Sequence, residues 1–540
     1  MYVRKVEKGI PKKESQRRSK NDERTDSNPQ FQTEPRFENR ATEELGIMSV
    51  FEELRGLLRL RGLQLLALCC WLTALAALSI AYKLPVRDPD IWWHLKTGDW
   101  IVAHHVVPSV GIFSRTAGTH AWVAYSWLYE VLLSCAYAWF GLVGFALFGV
   151  LVTLFVAVIL FWMLHRLCGQ FWIAWLLAVI ASYSFLFSLL PRPVFGSMAF
   201  FAVEITFLLE AQRTGSIRRL WWLPLLFVLW ANIHIQFVYG LLVVGLFFGV
   251  NLVERVASWR GFEPDFIQPP KLPLSGLMGM VLACFAATFV GPYTYRLYYV
   301  LADLSQSHVP YSMILEMQAF RFNSLRDYLV LLLTMAAFFA LGWRSKLDLF
   351  KLSLLIIASF IAFRTVRDAW FLCICATAFV ADFRPPEDLP TPMLKVPELA
   401  AVATVLVISM LLFARNTGFD TRNLDRTISR EFPVNAVNFV RRNLPAGPLY
   451  NNLDWGGFLV WYLPQYPVAI DGRTNIYGDE MVQLMYNSSR GDESYTSDPY
   501  LNHAGLVLLP KKTPLAALLT VDPRFRLVYD DELAVVFVRN

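Results

Sequence analysis

Residues 85–130 read PVRDPDIWWHLKTGDWIVAHHVVPSVGIFSRTAGTHAWVAYSWLYE, a polar, aromatic-rich stretch wedged between two strongly apolar runs. It brings Asp88, Asp90, Trp92, Trp93, His94 and Asp99 together just past the first long hydrophobic segment. If that segment, about 63–84, spans a bilayer, these groups stand at the membrane surface, where water, a lipid head group and a protein pocket meet. The stretch reads as the reactive end of a membrane protein, and the rest of the chain as its support.

The composition agrees. With 56% hydrophobic and only 17% charged residues among 540, the chain is too apolar for an ordinary soluble enzyme. A transmembrane helix needs about 20 mainly apolar residues. Segments near 63–84, 123–141, 143–165, 171–190, 193–211, 219–233, 236–253, 273–291, 327–343, 350–363, 367–382 and 397–414 are the candidates. The net charge of +6 comes without a basic stripe carrying base-stacking aromatics, which argues against a nucleic-acid partner. The seven cysteines fall almost entirely inside apolar runs, so a disulfide scaffold is not expected, and Cys373 and Cys375 read as packing residues.

Residues 1–47 are polar and charged and are expected to form a disordered cytoplasmic tail. The following SVFEELRGLLRLRGLQLL reads as an interfacial helix leading into the first span. Arginines before that span favour a cytoplasmic N-terminus. Were all twelve segments to cross, the basic loop AQRTGSIRRLWW would lie outside, against the positive-inside tendency. Leaving 123–141 uncrossed repairs this, because that segment is polar at its start and carries Glu130. Eleven crossings then put 192–195, 232–236, 292–326, 363–368 and the C-terminal region on the outer face. The expected architecture is an all-α polytopic membrane domain over 48–414, with about 11–12 transmembrane helices and an outer loop at 85–122. A C-terminal extracytoplasmic α/β domain follows over 415–540. Within it NAVNFVRRNLPAG reads as a helix, PVAIDGR as a buried strand followed by a turn, and LAVVFVRN as a terminal strand.

Several residues carry two readings. Asp88 and Asp90 flank Pro89: one is suited to general-base work while the other orients it or holds a metal, or an aspartate simply caps the helix IWWHLKTGDWI. His94 shares a helical face with Asp90 and suits a cation or phosphate site, or is an interfacial histidine. Trp92 and Trp93 are belt residues or an apolar shelf. Arg192, Arg364 and Arg367 snorkel, or use their planar forks on a phosphate. His234 makes an interhelical hydrogen bond or contacts substrate, and Glu316 is a loop carboxylate or its helper.

With these residues in view, the chain resembles the GT-C superfamily of membrane glycosyltransferases, including protein mannosyltransferases and oligosaccharyltransferase catalytic subunits. The likeness rests on RDPDIWWHLKTGDW with HHVVPSVGIFSRT and WVAYSWLYE, on LLPRPVF and WANIHIQF at span ends, and on NNLDWGGFLVWYLPQYPVAIDGRTN in the C-terminal region. It implies transfer of a sugar from a polyprenyl-phosphate-linked donor to a glycan, lipid or protein acceptor at the outer membrane face. Asp90, then Asp88, would be the catalytic carboxylates, with Arg192, Arg364 and Arg367 on the donor phosphate. His94, Trp93, His234, Glu316, Asp454 and Trp455 would contact substrate, and a divalent cation such as Mg or Mn would sit on Asp90 and His94. LDWGG departs from the double-tryptophan pattern of the oligosaccharyltransferases, which leaves a tight Gly-Gly turn as the other reading. The competing class is a non-catalytic transporter or lipid-binding scaffold with an outer sensor domain. It would place ionisable groups at mid-span, whereas the notable groups here cluster at span ends.

Overall fold

The computed structural model describes residues 61–184, 192–261, 271–306, 313–383 and 395–540. The expected tail at 1–47 and most of the interfacial helix lie outside the described residues.

The apolar runs fold as helices. They are α1 (Arg61–Tyr82), α3 (Trp127–Cys168), α4 (Phe171–Ser184), α5 (Val194–Thr214), α6 (Leu223–Ile233), α7 (Phe237–Trp259), α8 (Leu274–Ala287), α10 (Leu325–Gly342), α11 (Leu349–Arg364), α12 (Ala369–Ala381) and α13 (Val396–Thr417). Between them stand the polar-loop helices α2 (Ile91–His104) and α9 (Arg296–Gln306). The run α3 is two helices joined at Gly141, whose φ of 58° and ψ of −145° break the helical geometry where the two apolar segments were expected to separate.

Each of the twelve expected segments therefore has a helix, yet only 6 helices among the described residues are long and apolar enough to cross a membrane. Hydropathy windows run on across helix breaks such as the one at His234, so they overstate helix length. α12 shows the difference. Its 13 residues span about 20 Å, short of a bilayer core of about 30 Å, and nearly every side chain is buried by α3, α4, α5, α10 and α11. A helix that is apolar all round is buried in protein or lipid, and here protein encloses it. α13 is the opposite case: Leu399, Val405, Val407, Ile408, Leu411 and Leu412 are exposed, as lipid-facing side chains are. The protein is a multi-pass integral membrane protein.

At one end of the bundle, α11 and α12 are tied by a buried ion cluster. Lys351 Nζ lies 2.6 Å from Asp382 and 3.0 Å from Asp348, and Arg344 also reaches Asp382. Removing the cation leaves buried carboxylates under-compensated. Lys351→Met is expected to destabilise the fold by about 3–5 kcal/mol, read as a lowered unfolding temperature in detergent.

The C-terminal region begins with α14 (Thr421–Glu431), capped by the Asp420 side chain, and α15 (Val434–Asn443). It then forms β1 (Leu449–Asn451), α16 (Leu453–Tyr462), α17 (Asp479–Ser489), β2 (Leu506–Pro510), α18 (Pro514–Val521), β3 (Phe525–Asp530) and β4 (Ala534–Arg539). The sheet order is β1-β2-β4-β3, with β1 parallel to β2 and the other pairs antiparallel. The expected helix over 435–447 and the terminal strand are present. The expected strand in PVAIDGR is not: that segment is irregular and pairs with the 85–122 loop instead. Arg115 N–H donates to the Val468 carbonyl at 2.9 Å, and Val468 N–H to Phe113 at 3.2 Å. Its alternation of apolar residues is satisfied by burial beneath that loop, so no place in the sheet is needed.

Two tryptophans fasten this region to the 85–122 loop. Trp92 is fully buried, stacked on Phe145 and edge-on to Phe432, Phe458 and Tyr462, while Trp93 is 8% exposed. They are core residues of the junction and not a membrane-surface belt.

Candidate active site

The polar ends of the elements enclose a cavity of about 160 Å³. Asp90, Trp93, His94, Trp122, Tyr125 and Glu130 line it from residues 85–126 and the start of α3. Arg192 and His234 contribute from helix ends, Glu316 and Arg367 from the short turns Leu315–Met317 and Val366–Asp368, and Gly472, Arg473, Thr474 and Asn475 from the C-terminal region.

The two aspartates have separate tasks. Asp88 is fully buried, and both its oxygens are taken by Arg192, at 2.8 Å from Nε and 2.8 Å from Nη2. It also accepts from Asp90 N–H at 3.1 Å, which shapes the turn into α2. Asp88 does not line the cavity; it positions Arg192. Asp90 stands at the N-terminus of α2, but its side chain makes no capping bond. Its carboxylate meets Arg192 Nη2 at 3.2 Å and Trp93 Nε1 at 3.4 Å, and it faces the cavity. The capping reading is therefore replaced by a carboxylate held at the cavity wall. Burial pushes Asp90 up to about 6; Arg192 opposes this, and the charges of Asp88 and Glu316 add to it.

Arg192 is shared. Its third contact is Glu316 Oε1 at 3.1 Å from Nη1, and this set of carboxylates holds the guanidinium well above its ordinary range despite burial. Arg367 also lines the cavity and forms no ion pair among the described residues. Its turn is fixed by Asp368, which accepts from Gln236 at 2.7 Å and Thr365 at 2.6 Å, and by the Val366 N–H bond to the Gln318 carbonyl. Arg364 is exposed at the end of α11 and does not line the cavity.

His94 and Glu130 form a buried pair, Nδ1 to Oε1, at 2.9 Å. Burial lowers His94 well below its ordinary value. Glu130 was read from the sequence only as a group unsuited to lipid; α2 and α3 touch so closely at Gly98 that a Cβ there would lie 1.9 Å from the Glu130 carbonyl. His234 is defined by its partner. Ser197 Oγ accepts the Trp230 indole N–H at 2.7 Å and lies 2.8 Å from His234 Nδ1, which orients the ring. Burial lowers His234 to about 3 and keeps the ring neutral.

The residues that sequence reasoning missed come from DGRTN. Asp471 takes Arg473 bidentately, at 2.9 Å from Nε and 2.6 Å from Nη2, and accepts from Tyr477 at 2.8 Å. The guanidinium lies over Trp122, 4.5 Å from its ring centre, and Phe113, at 5.4 Å. Gly472 packs beside it against Asp90: a Cβ there would lie 1.9 Å from Asp90 Oδ1, so the carboxylate would have to move. By contrast Asp454 is exposed and Trp455 is buried, and neither lines the cavity. The glycines after them carry the contact: a Cβ on Gly457 would lie 2.4 Å from the Pro89 carbonyl. Helix α16, not a tight turn, is what the paired glycines serve.

Among the described residues no three His, Cys, Asp or Glu side chains gather to hold a metal ion. Asp90 is turned to Arg192, and His94 spends Nδ1 on Glu130. This donor set does not fit the divalent cation that the resemblance implies, and no step below is routed through one.

No family model matches the chain, and no curated protein matches it. Among solved structures it is similar to the archaeal oligosaccharyltransferase AglB from Archaeoglobus fulgidus in complex with an inhibitory peptide and a dolichol-phosphate. That match has a TM-score of 0.48 and 11% identity, over 82% of this chain and 69% of that one. It is also similar to ArnT from Cupriavidus metallidurans bound to undecaprenyl phosphate, with a TM-score of 0.45 and 14% identity over 86% and 97%.

Proposed function

We propose that the chain transfers a sugar from a polyprenyl-phosphate-linked donor to an acceptor hydroxyl or amine at the outer face of the membrane, with the N-terminus cytoplasmic. The observation that carries this reading is the convergence in a single cavity of the Asp90 carboxylate and Arg367, a cation with no ion pair among the described residues.

The chemistry follows from those groups. Asp90 accepts the acceptor's proton as the acceptor heteroatom bonds to the anomeric carbon. The bond from that carbon to the phosphate oxygen breaks, and its electron pair leaves on the carrier phosphate. Arg367 stabilises that charge, and Arg192 supplies further donors. Since Glu316 sits on Arg192, an incoming phosphate competes with it for Nη1. One displacement by one base predicts an inverted anomeric centre.

The sign of the pH dependence is set by Asp90. The base works as the carboxylate, so kcat/KM is expected to rise about tenfold per pH unit below about 6 and to level off above it. The assay is transfer by purified protein from a panel of polyprenyl-phosphate-linked sugars. A flat profile from pH 5 to 8 removes Asp90 as the base. Failure to bind any polyprenyl phosphate removes the reading itself.

One observation favours the transporter alternative. Glu204, near the middle of α5, is fully buried and neither of its oxygens has a hydrogen-bond partner among the described residues. An ionisable group at that depth is a mark of pathways. It does not line the cavity, and Glu204→Gln separates the two readings: transfer persists if the enzyme reading holds.

A further inference from the structure

The lining of the cavity falls into two unlike sets of residues, which meet where Gly472 packs against Asp90. Arg192, Arg367, Glu316 and Asp90 make one of them, an ionic wall. Residues 472–475 make the other, next to Trp93 and Trp122. We propose that this second wall seats the ring of the transferred sugar, with Arg473 Nη1 donating to one of its hydroxyl oxygens. The inference rests on the reading above and assigns the sugar subsite within it.

Three features of Arg473 support the assignment. Its charge is spent, because Asp471 matches it one for one through two hydrogen bonds, so it has none left for a phosphate. Its orientation is fixed by that pair and by the Trp122 and Phe113 faces. Yet at 3% exposure its Nη1 has no acceptor among the described residues, an unfavourable state for a buried donor. A charge-balanced pair with one donor left over is suited to a neutral oxygen, as on a sugar hydroxyl. Thr474 and Asn475 add side chains that both donate and accept, and the indole of Trp93 offers an apolar face to a ring's C–H groups. Arg367, which lines the same cavity without an ion pair among the described residues, takes the phosphate. A cavity of about 160 Å³ holds one such ring more readily than a chain of them.

The test compares the affinity of the full-length protein in detergent for bare polyprenyl phosphate and for the same carrier bearing a sugar. Wild-type protein is expected to favour the glycosylated carrier by about tenfold or more. Arg473→Lys keeps a cation opposite Asp471 but lacks the spare nitrogen. It is expected to bring the two affinities within about twofold, with bare carrier bound as before. Should that variant fail to fold, Asn475→Ala carries the same expectation. Equal loss of both carriers would make Arg473 a phosphate contact, and an undiminished preference would remove it from the site; either result overturns the assignment while polyprenyl binding stands. A wild-type protein that binds neither carrier overturns both readings.

Discussion

Asp90→Asn is expected to lower kcat/KM for sugar transfer by about 10²–10⁴-fold while the protein still folds and still binds its carrier. The amide keeps the shape of the side chain and an oxygen for Trp93 Nε1. Arg192 keeps its two bonds to Asp88 and its contact with Glu316. What is lost is the proton acceptor, together with the 3.2 Å ion pair to Arg192 Nη2. Asp88→Asn behaves differently, because it weakens the bidentate grip on Arg192 and leaves that guanidinium poorly matched in a buried position. It should lower thermal stability and carrier binding together. Single-turnover rates and melting curves of the two variants separate the roles, and an Asp90→Asn protein that transfers at the wild-type rate would sink the base assignment.

Gly456→Ala is expected to be the most disruptive small change in the C-terminal region. A Cβ at this position would stand 2.2 Å from the Ile470 carbonyl oxygen and 2.5 Å from the Asp471 Cα. Backbone atoms cannot swing aside as a side chain can, so α16 and the 470–473 segment must separate. Overpacking of this kind destabilises by about 1–3 kcal/mol and occasionally more. Because Asp471 and Arg473 ride on the displaced segment, transfer should fall along with the melting temperature. Asp454→Ala, two residues away but exposed, is the control and should leave both near wild type. Wild-type melting in Gly456→Ala would show that the two segments are not packed as described.

The helices were legible because long apolar runs leave the chain few alternatives, and Gly141 separated two of them where its sequence context predicts. What the runs do not reveal is who covers them: α12 looks like a span until its neighbours are known, and then proves to be wrapped by protein. The polar loop was legible as a site, but not the division of labour within it. Asp88 and Asp90 have the same chemistry and nearly the same position in sequence; only the location of Arg192, set by the packing of a distant helix, makes one a support and leaves the other facing the cavity as the proposed base. The same limit hid Arg473. Its pairing with Asp471 is local and could have been suspected from D-G-R, but the aromatic faces that hold it, Phe113 and Trp122, belong to the other end of the chain. The tryptophan–glycine motif drew attention to Asp454 and Trp455, while the physical constraint lay in the glycines, whose missing side chains let α16 approach Pro89.

The contact between Gly472 and Asp90 also has a consequence in time. A ribosome adding about 5–20 residues per second makes the loop that carries Asp90 tens of seconds before the residues that wall its cavity. During that interval the bundle can insert and pack, but the base faces an open surface with no second wall. If the proposed function holds, a nascent or prematurely terminated chain should therefore sit in the membrane without discharging lipid-linked sugar to water, and competence would arrive only once residues 472–475 have been made.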